Sequence, residues 1–238
     1  MKKLFLFSLI LILLLGMNSC SKDNTDSNSY VVYKVPVDLA ASYVAMAFCN
    51  ASLGINIHME NFTGFAALGR SNFDTSYLAK KTDSSAAVKY QYQVLYTYTR
   101  LTTSPPKVTL DYSADGSFSS SALQSQDGQA SSNWTLTTLD QPLLTLNGSG
   151  TDGGRQYSIL QNVQFTSDIS YTFNNVMMNK LTYEAVSGTA TIRIIGSGPA
   201  NVDFSYTGTL TFSGDRKAVL VLGGSSYNIS LVTGSITK

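Results

Sequence analysis

Hydrophobic and polar residues alternate along much of the chain with a period of two. In "VKYQYQVLYTYTRL" the residues Val88, Tyr90, Tyr92, Val94, Tyr96 and Tyr98 fall on one side, with Lys89, Gln91, Gln93, Thr97 and Thr99 on the other. That is the pattern of a strand buried on one face. It recurs over 108–112, 134–139, 143–146, 163–173, 181–195, 202–212, 218–222 and 227–232. Turn residues punctuate these runs at Ala114-Asp115-Gly116, Asn147-Gly148-Ser149-Gly150, Gly196-Ser197-Gly198-Pro199, Ser213-Gly214-Asp215 and Gly223-Gly224. Strands joined so tightly pair antiparallel, because a parallel connection needs a crossover of about a dozen residues. The expectation is a mainly β domain of about nine strands, an antiparallel meander forming a sandwich or a partly open barrel.

Earlier in the chain the period changes. Leu39, Tyr43, Met46 and Leu53 share a helical face among helix-favouring alanines, which predicts one helix over about 38–53, with Asp38 as N-cap and Gly54 as terminator. It would pack on an apolar sheet face or plug a barrel mouth. Ile55, Ile57 and Met59 then alternate like a strand, while Phe62, Phe65, Leu68 and Phe73 keep no clean period.

The N-terminus has its own logic. Lys2-Lys3 precede an apolar run, Leu4 to Gly16, broken only by Ser8. Its thirteen residues suit a signal-peptide core and fall short of the roughly 20 that span a bilayer. Met17-Asn18-Ser19-Cys20 resembles the lipobox of bacterial lipoproteins, although the usual Leu and small residue are here Met17 and Asn18. The resemblance implies a signal peptide over 1–19, cleavage before Cys20, and acylation of Cys20 at its sulfur and new amine. Two or three acyl chains hold a protein on a membrane, where one chain binds only marginally. Ser21 stands where an Asp would resemble an inner-membrane retention signal, so the resemblance implies the outer membrane. Ser21-Lys22-Asp23 is similar to the short export signal that places some lipoproteins on the cell surface. The polar segment 20–29 reads as a tether reaching about 15–20 Å, leaving 30–238 as a single β-rich domain. The β-rich half from Ser132 onward resembles uncharacterised bacterial surface lipoproteins, which brings no activity with it.

Composition narrows the function classes. Charged residues make up 13% of the chain, about half the usual share, and without Lys2 and Lys3 the 16 basic side chains become 14 against 15 acidic ones. This balance provides no basic face for nucleic acid. With Cys20 acylated, Cys49 has no disulfide partner and reads as a small buried hydrophobe.

Candidate chemistry is sparse. His58 is the sole histidine, no Gly-x-Ser-x-Gly elbow occurs, and one His with one Cys makes no zinc site. Neither a catalytic residue, a cofactor nor a metal is expected, and His58 reads as structural or surface. "GSGTDGG" lacks the Lys-Ser/Thr of a phosphate loop, and its Asp152 alone makes no calcium site. Asp115, Asp127, Asp140, Asp152 and Asp215 sit in turn-like stretches where Asp serves the backbone. Tyr90, Tyr92, Tyr96, Tyr98 and Trp134 are the candidate ligand-facing residues, as rings lining a cavity or stacking on sugars. Their bland reading, which strict alternation with Val88 and Val94 favours, is core.

The expected protein is thus a membrane-anchored lipoprotein with a non-enzymatic binding or structural role toward a glycan, lipid or protein ligand. A carrier of lipid or small apolar ligand in a half-open barrel, and a glycan hydrolase using two carboxylates, are the alternatives.

Overall fold

The computed structural model describes residues 34–68, 74–84 and 87–238. Cys20, the signal segment and the tether lie outside them. Two helices, α1 (Val37–Phe48) and α2 (Ile55–Ala67), precede eleven strands. These are β1 (Asp74–Asp83), β2 (Lys89–Leu101), β3 (Lys107–Ser119), β4 (Leu123–Thr137), β5 (Leu143–Ser158), β6 (Val163–Asn179), β7 (Ala185–Ser197), β8 (Asp203–Gly214), β9 (Lys217–Leu222), β10 (Ser225–Ser230) and β11 (Ile236–Thr237). They form one antiparallel meander in sequence order, a single sheet that does not close. The mainly β antiparallel meander is as expected. No described helix is long and apolar enough to cross a membrane.

The single helix expected over about 38–53 is in fact two. α1 ends at Phe48, where Ser52 turns its hydroxyl onto the carbonyls of Met46 and Cys49 and Leu53 takes a positive φ of 58°. Gly54 is therefore not the terminator expected: it caps the start of α2, at a position where a Cβ would stand 2.3 Å from the Ala47 carbonyl oxygen. α2 then starts at Ile55, so the strand-like alternation of Ile55, Ile57 and Met59 was misleading. Its buried stripe is Ile55, Met59, Phe62 and Ala66, spaced for a helix, with Ile57 only partly buried. The N-cap of α1 is Pro36, not Asp38. Asp38 sits in the first turn and accepts hydrogen bonds from the Tyr227 hydroxyl and, at 2.9 Å, from Lys238 Nζ.

α1 is apolar over most of its circumference, with only Asp38 and Ser42 forming a short polar strip, and Tyr43, Val44, Ala45 and Phe48 are wholly buried. A helix of that kind must be enclosed, and here the sheet does the enclosing. Its Tyr43 and Phe48 rings meet Phe165, Tyr171 and Phe173 of β6, and α1 also packs against β9, β10 and β11. α2 fills the space over the earlier strands, with Phe62 against Tyr98 of β2 and Trp134 of β4. Its Glu60 accepts a hydrogen bond from Arg216 Nε at 2.9 Å, and Arg216 also pairs with Glu184 at 3.3 Å, which ties α2 to the β8–β9 turn.

Two stretches expected as turns lie within strands. Ala114-Asp115-Gly116 belongs to β3, and Asn147-Gly148-Ser149-Gly150 belongs to β5. In β5 the glycines make room for rings from both neighbours. Gly148 stands between Trp134 of β4 and Phe173 of β6, and Gly150 between Ser132 and Tyr171. Over this bare backbone the Trp134 ring approaches Phe173 at 5.5 Å and Tyr171 at 6.4 Å. A Cβ on Gly150 would lie 2.3 Å from the Tyr171 hydroxyl and 2.6 Å from the Ser131 carbonyl oxygen. Gly150→Ala is therefore expected to destabilise the fold by about 1–3 kcal/mol, as overpacking does, read as a lower urea midpoint.

Candidate functional site

The sheet has two unlike faces, and each holds a group of polar residues. On the outer face the register lines up side chains from successive strands. One row runs Lys80, Gln93, Asp115, Gln129, Gly153 and Asp168 across β1 to β6. Beside it Thr82, Gln91 and Ser117 make a second, shorter row. One extra residue in β4, which shifts the register against β3 at Gly116/Phe118 and against β5 at Gln126/Gln129, makes a bulge that bends the sheet here. The bend hollows the outer surface into a groove of about 780 Å³ lined by these rows. A neighbouring hollow of about 240 Å³ shares Asp127 and Gln129 with it and extends to Arg155 and Asp168.

The groove presents amides, hydroxyls and charges of both signs. Asp127, held by the bulge at φ 53°, pairs with Arg155 across the β4–β5 register, with Arg155 Nε donating at 2.9 Å. Both side chains are more than half exposed, so the pair adds little stability and mainly orients the two groups. Such a surface offers donors and acceptors in a fixed array to a ligand rich in hydroxyls. Among the described residues, no group of three or more His, Cys, Asp or Glu side chains could hold a metal ion.

The inner face carries the residues that the alternation singled out. Tyr96, Tyr98 and Trp134 are buried, whereas Tyr90 and Tyr92 are half-buried in the first part of β2, with Tyr92 still beside Gly54 and His58 of the helical segment. Tyr98 stacks on Phe65 at 4.0 Å, and Trp134 meets Tyr112 edge-on at 5.1 Å. The structure thus brings Tyr96, Tyr98 and Trp134 into one aromatic layer beneath α2, and leaves Tyr90 and Tyr92 at its rim.

Asp152 departs from the expectation of a turn. It lies in β5, opposite Ala130 and Ile169, and points inward. Its Oδ1 accepts a hydrogen bond from the Tyr43 hydroxyl at 2.8 Å. Burial pushes the carboxyl up to about 7, against the pull of the Tyr43 bond and with a further push from Asp168. His58 is buried too, with Nδ1 2.9 Å from the Tyr96 hydroxyl and its ring 4.7 Å from that of Tyr112. Burial lowers it to about 4, so it is neutral at physiological pH. Between these groups remains a void of about 20 Å³, lined by Gly54, His58, Tyr92, Tyr112 and Asp152. That is room for roughly one water.

Sequence reasoning missed the groove, although "QSQDGQ" (124–129) and the polar parity of Gln91 and Gln93 both lead to it. Comparison with known proteins brings no match: no family model fits the chain, and neither a curated protein nor a solved structure matches it.

Two measurements follow from the inner face. Tyr96→Ala is expected to cost about 3–5 kcal/mol, as buried aromatic truncations do, and Tyr90→Ala about 1 kcal/mol or less, both read by urea denaturation. The second concerns pH. Folded Asp152 keeps its proton up to about pH 7, so its contribution is full in acid and is lost as pH rises from the ordinary carboxylate range to about 7. His58 does the reverse, losing its contribution as pH falls from 6.5 to about 4. The two slopes oppose each other over the shared window. Relative to the parent, Asp152→Asn should therefore lose stability on acidification below about 6.5, and His58→Gln should lose it as pH rises toward 7. Each slope is at most about 1.4 kcal/mol per pH unit.

Proposed function

We propose that the protein is a lipid-anchored, non-enzymatic binding protein of the bacterial outer membrane, which holds a glycan in the groove of its outer sheet face. The observation that carries this reading is the row Lys80, Gln93, Asp115 and Gln129, which sets amide and charged groups side by side on four adjacent strands. Neighbouring strands lie about 4.8 Å apart, close to the length of one sugar ring. A chain of sugars laid across the strands meets a polar side chain at every step.

The anchoring half of the proposal rests on Lys2-Lys3, the apolar run from Leu4 and the Ser19-Cys20 junction. The carrier alternative is weaker on volume. Both helices occupy the inner face, and the void beside Asp152 measures about 20 Å³, far less than an acyl chain needs. For hydrolysis, Asp127 is committed to Arg155 and Asp152 to Tyr43, so neither stands free to face a second carboxylate across a sugar.

Two experiments test the two halves. Cys20→Ala should lose the lipid mass and leave the membrane fraction, and an acylated, membrane-bound product would overturn the anchor. For the groove, affinity electrophoresis through gels containing soluble polysaccharides should retard the parent protein. The doubly substituted Gln93→Ala, Gln129→Ala protein should run unretarded at an unchanged urea midpoint, since both side chains are exposed. Retention of binding by that variant would place the ligand elsewhere.

A further inference from the structure

Strand β1 differs from every other long strand. Among the described residues it pairs with β2 on one side only, and its opposite edge carries backbone donors and acceptors that no described strand takes up. It is also exposed on both faces: Tyr77 is 47% exposed on the inner side and Leu78 54% on the outer side. A free edge of ten residues is a template for another strand, and proteins that remain single commonly guard such an edge with lysine. Here Lys80 and Lys81 are present, yet Lys80 has a complement within the same strand.

We infer that β1 pairs antiparallel with β1 of a second copy, joining two sheets about a two-fold axis that passes through Tyr77. The register follows from three constraints. Asp74, Ser76, Leu78 and Lys80 lie on the outer face opposite Thr99, Thr97, Leu95 and Gln93, while Thr75, Tyr77 and Ala79 lie on the inner face. When a sheet continues through a two-fold axis normal to it, each residue must face one of the same side, and a one-residue slip would reverse the faces. Of the registers that remain, the one centred on Tyr77 sets Asp74 opposite Lys80 of the second copy, twice, with Ser76 opposite Leu78 and Thr75 opposite Ala79. Centring on Leu78 separates the charges, and centring on Lys80 sets lysine against lysine, which is destabilising. Asp74 and Lys80 are both exposed and form no ion pair among the described residues. A copy docked in this register supplies both partners at once. The contact is isologous, so it closes at two copies and propagates no further.

The full chain in detergent micelles, examined by sedimentation velocity over a dilution series, tests this. The parent should be a dimer that dissociates on dilution. Asp74→Lys or Lys80→Asp alone places like charges opposite each other twice, and should weaken the dimer about tenfold or more. The double swap, Asp74→Lys with Lys80→Asp, should restore it. Under mild oxidation Tyr77→Cys should cross-link to its counterpart, because residues directly opposite in an antiparallel pair lie about 4.5–5.5 Å apart at Cα, within disulfide range. Leu78→Cys should cross-link much less. A monomeric parent, association indifferent to both single swaps, growth beyond two copies, or cross-linking through Leu78 in preference to Tyr77 would each overturn the inference. Association driven by acyl chains sharing a micelle appears as the second of these outcomes.

Discussion

The architecture depends on the need to enclose α1. A helix with Leu39, Tyr43, Val44, Met46 and Phe48 spread over most of its circumference has only the narrow Asp38–Ser42 strip to give to water, and each large side chain is worth roughly 1.5–3 kcal/mol when buried. One flat sheet covers one side of a helix. To cover the rest, the meander has to coil until β6 and β9 to β11 all reach α1. The inner residues of the strands, the position of α2 over β2 to β4 and the curvature that hollows the outer face then follow from that coiling. The bulge in β4 is where the coil tightens.

The coil would be wide and poorly filled without the glycines of β5. Rings on β4 and β6 would normally be kept apart by whatever the intervening strand carried. Because Gly148 and Gly150 carry nothing, Trp134 reaches across to Phe173 and Tyr171 and the aromatic layer becomes continuous. The same glycines misled the reading of the sequence. Asn-Gly-Ser-Gly has the composition of a turn, and composition alone does not distinguish a place where the chain bends from one where a neighbour needs space. The identity of the neighbours is a property of the register, which a single strand does not carry.

The remaining successes and failures of sequence reasoning have similar causes. Strands with one face in the core declare themselves by alternation, which made β2, β6 and β8 legible. β1 reads "DTSYLAKKTD" without alternation, because neither of its faces is covered. α2 was obscured because Ile57 lies outside its buried stripe and so mimics period two. The inner-facing tyrosines could be named from the sequence, but the distinction between buried Tyr96 and half-buried Tyr92 depends on how far α2 extends over β2. The groove was hidden for another reason: its residues are ordinary polar residues on four strands, and only the pairing places them in a row. Asp152 was obscured by glycines on both sides, which suggested a loop where there is a strand.

The pairing of Asp38 with Tyr227 and Lys238 has a kinetic side. These contacts join residues about 190–200 positions apart, and β9 to β11, which seal α1, are made long after it. Until they arrive, α1 is an apolar segment in search of cover, and long-range closure of this kind is slow compared with local hairpin formation. The hairpins of the meander can each form as soon as their two strands exist, whereas the helix that organises them is enclosed at the end. A chain cut short before β9 would keep most of its strands and lose the seal on α1, exposing the surface most prone to stick to other chains. The seal therefore joins the first described helix to the last described strands, which meet in space across about 190–200 positions of chain.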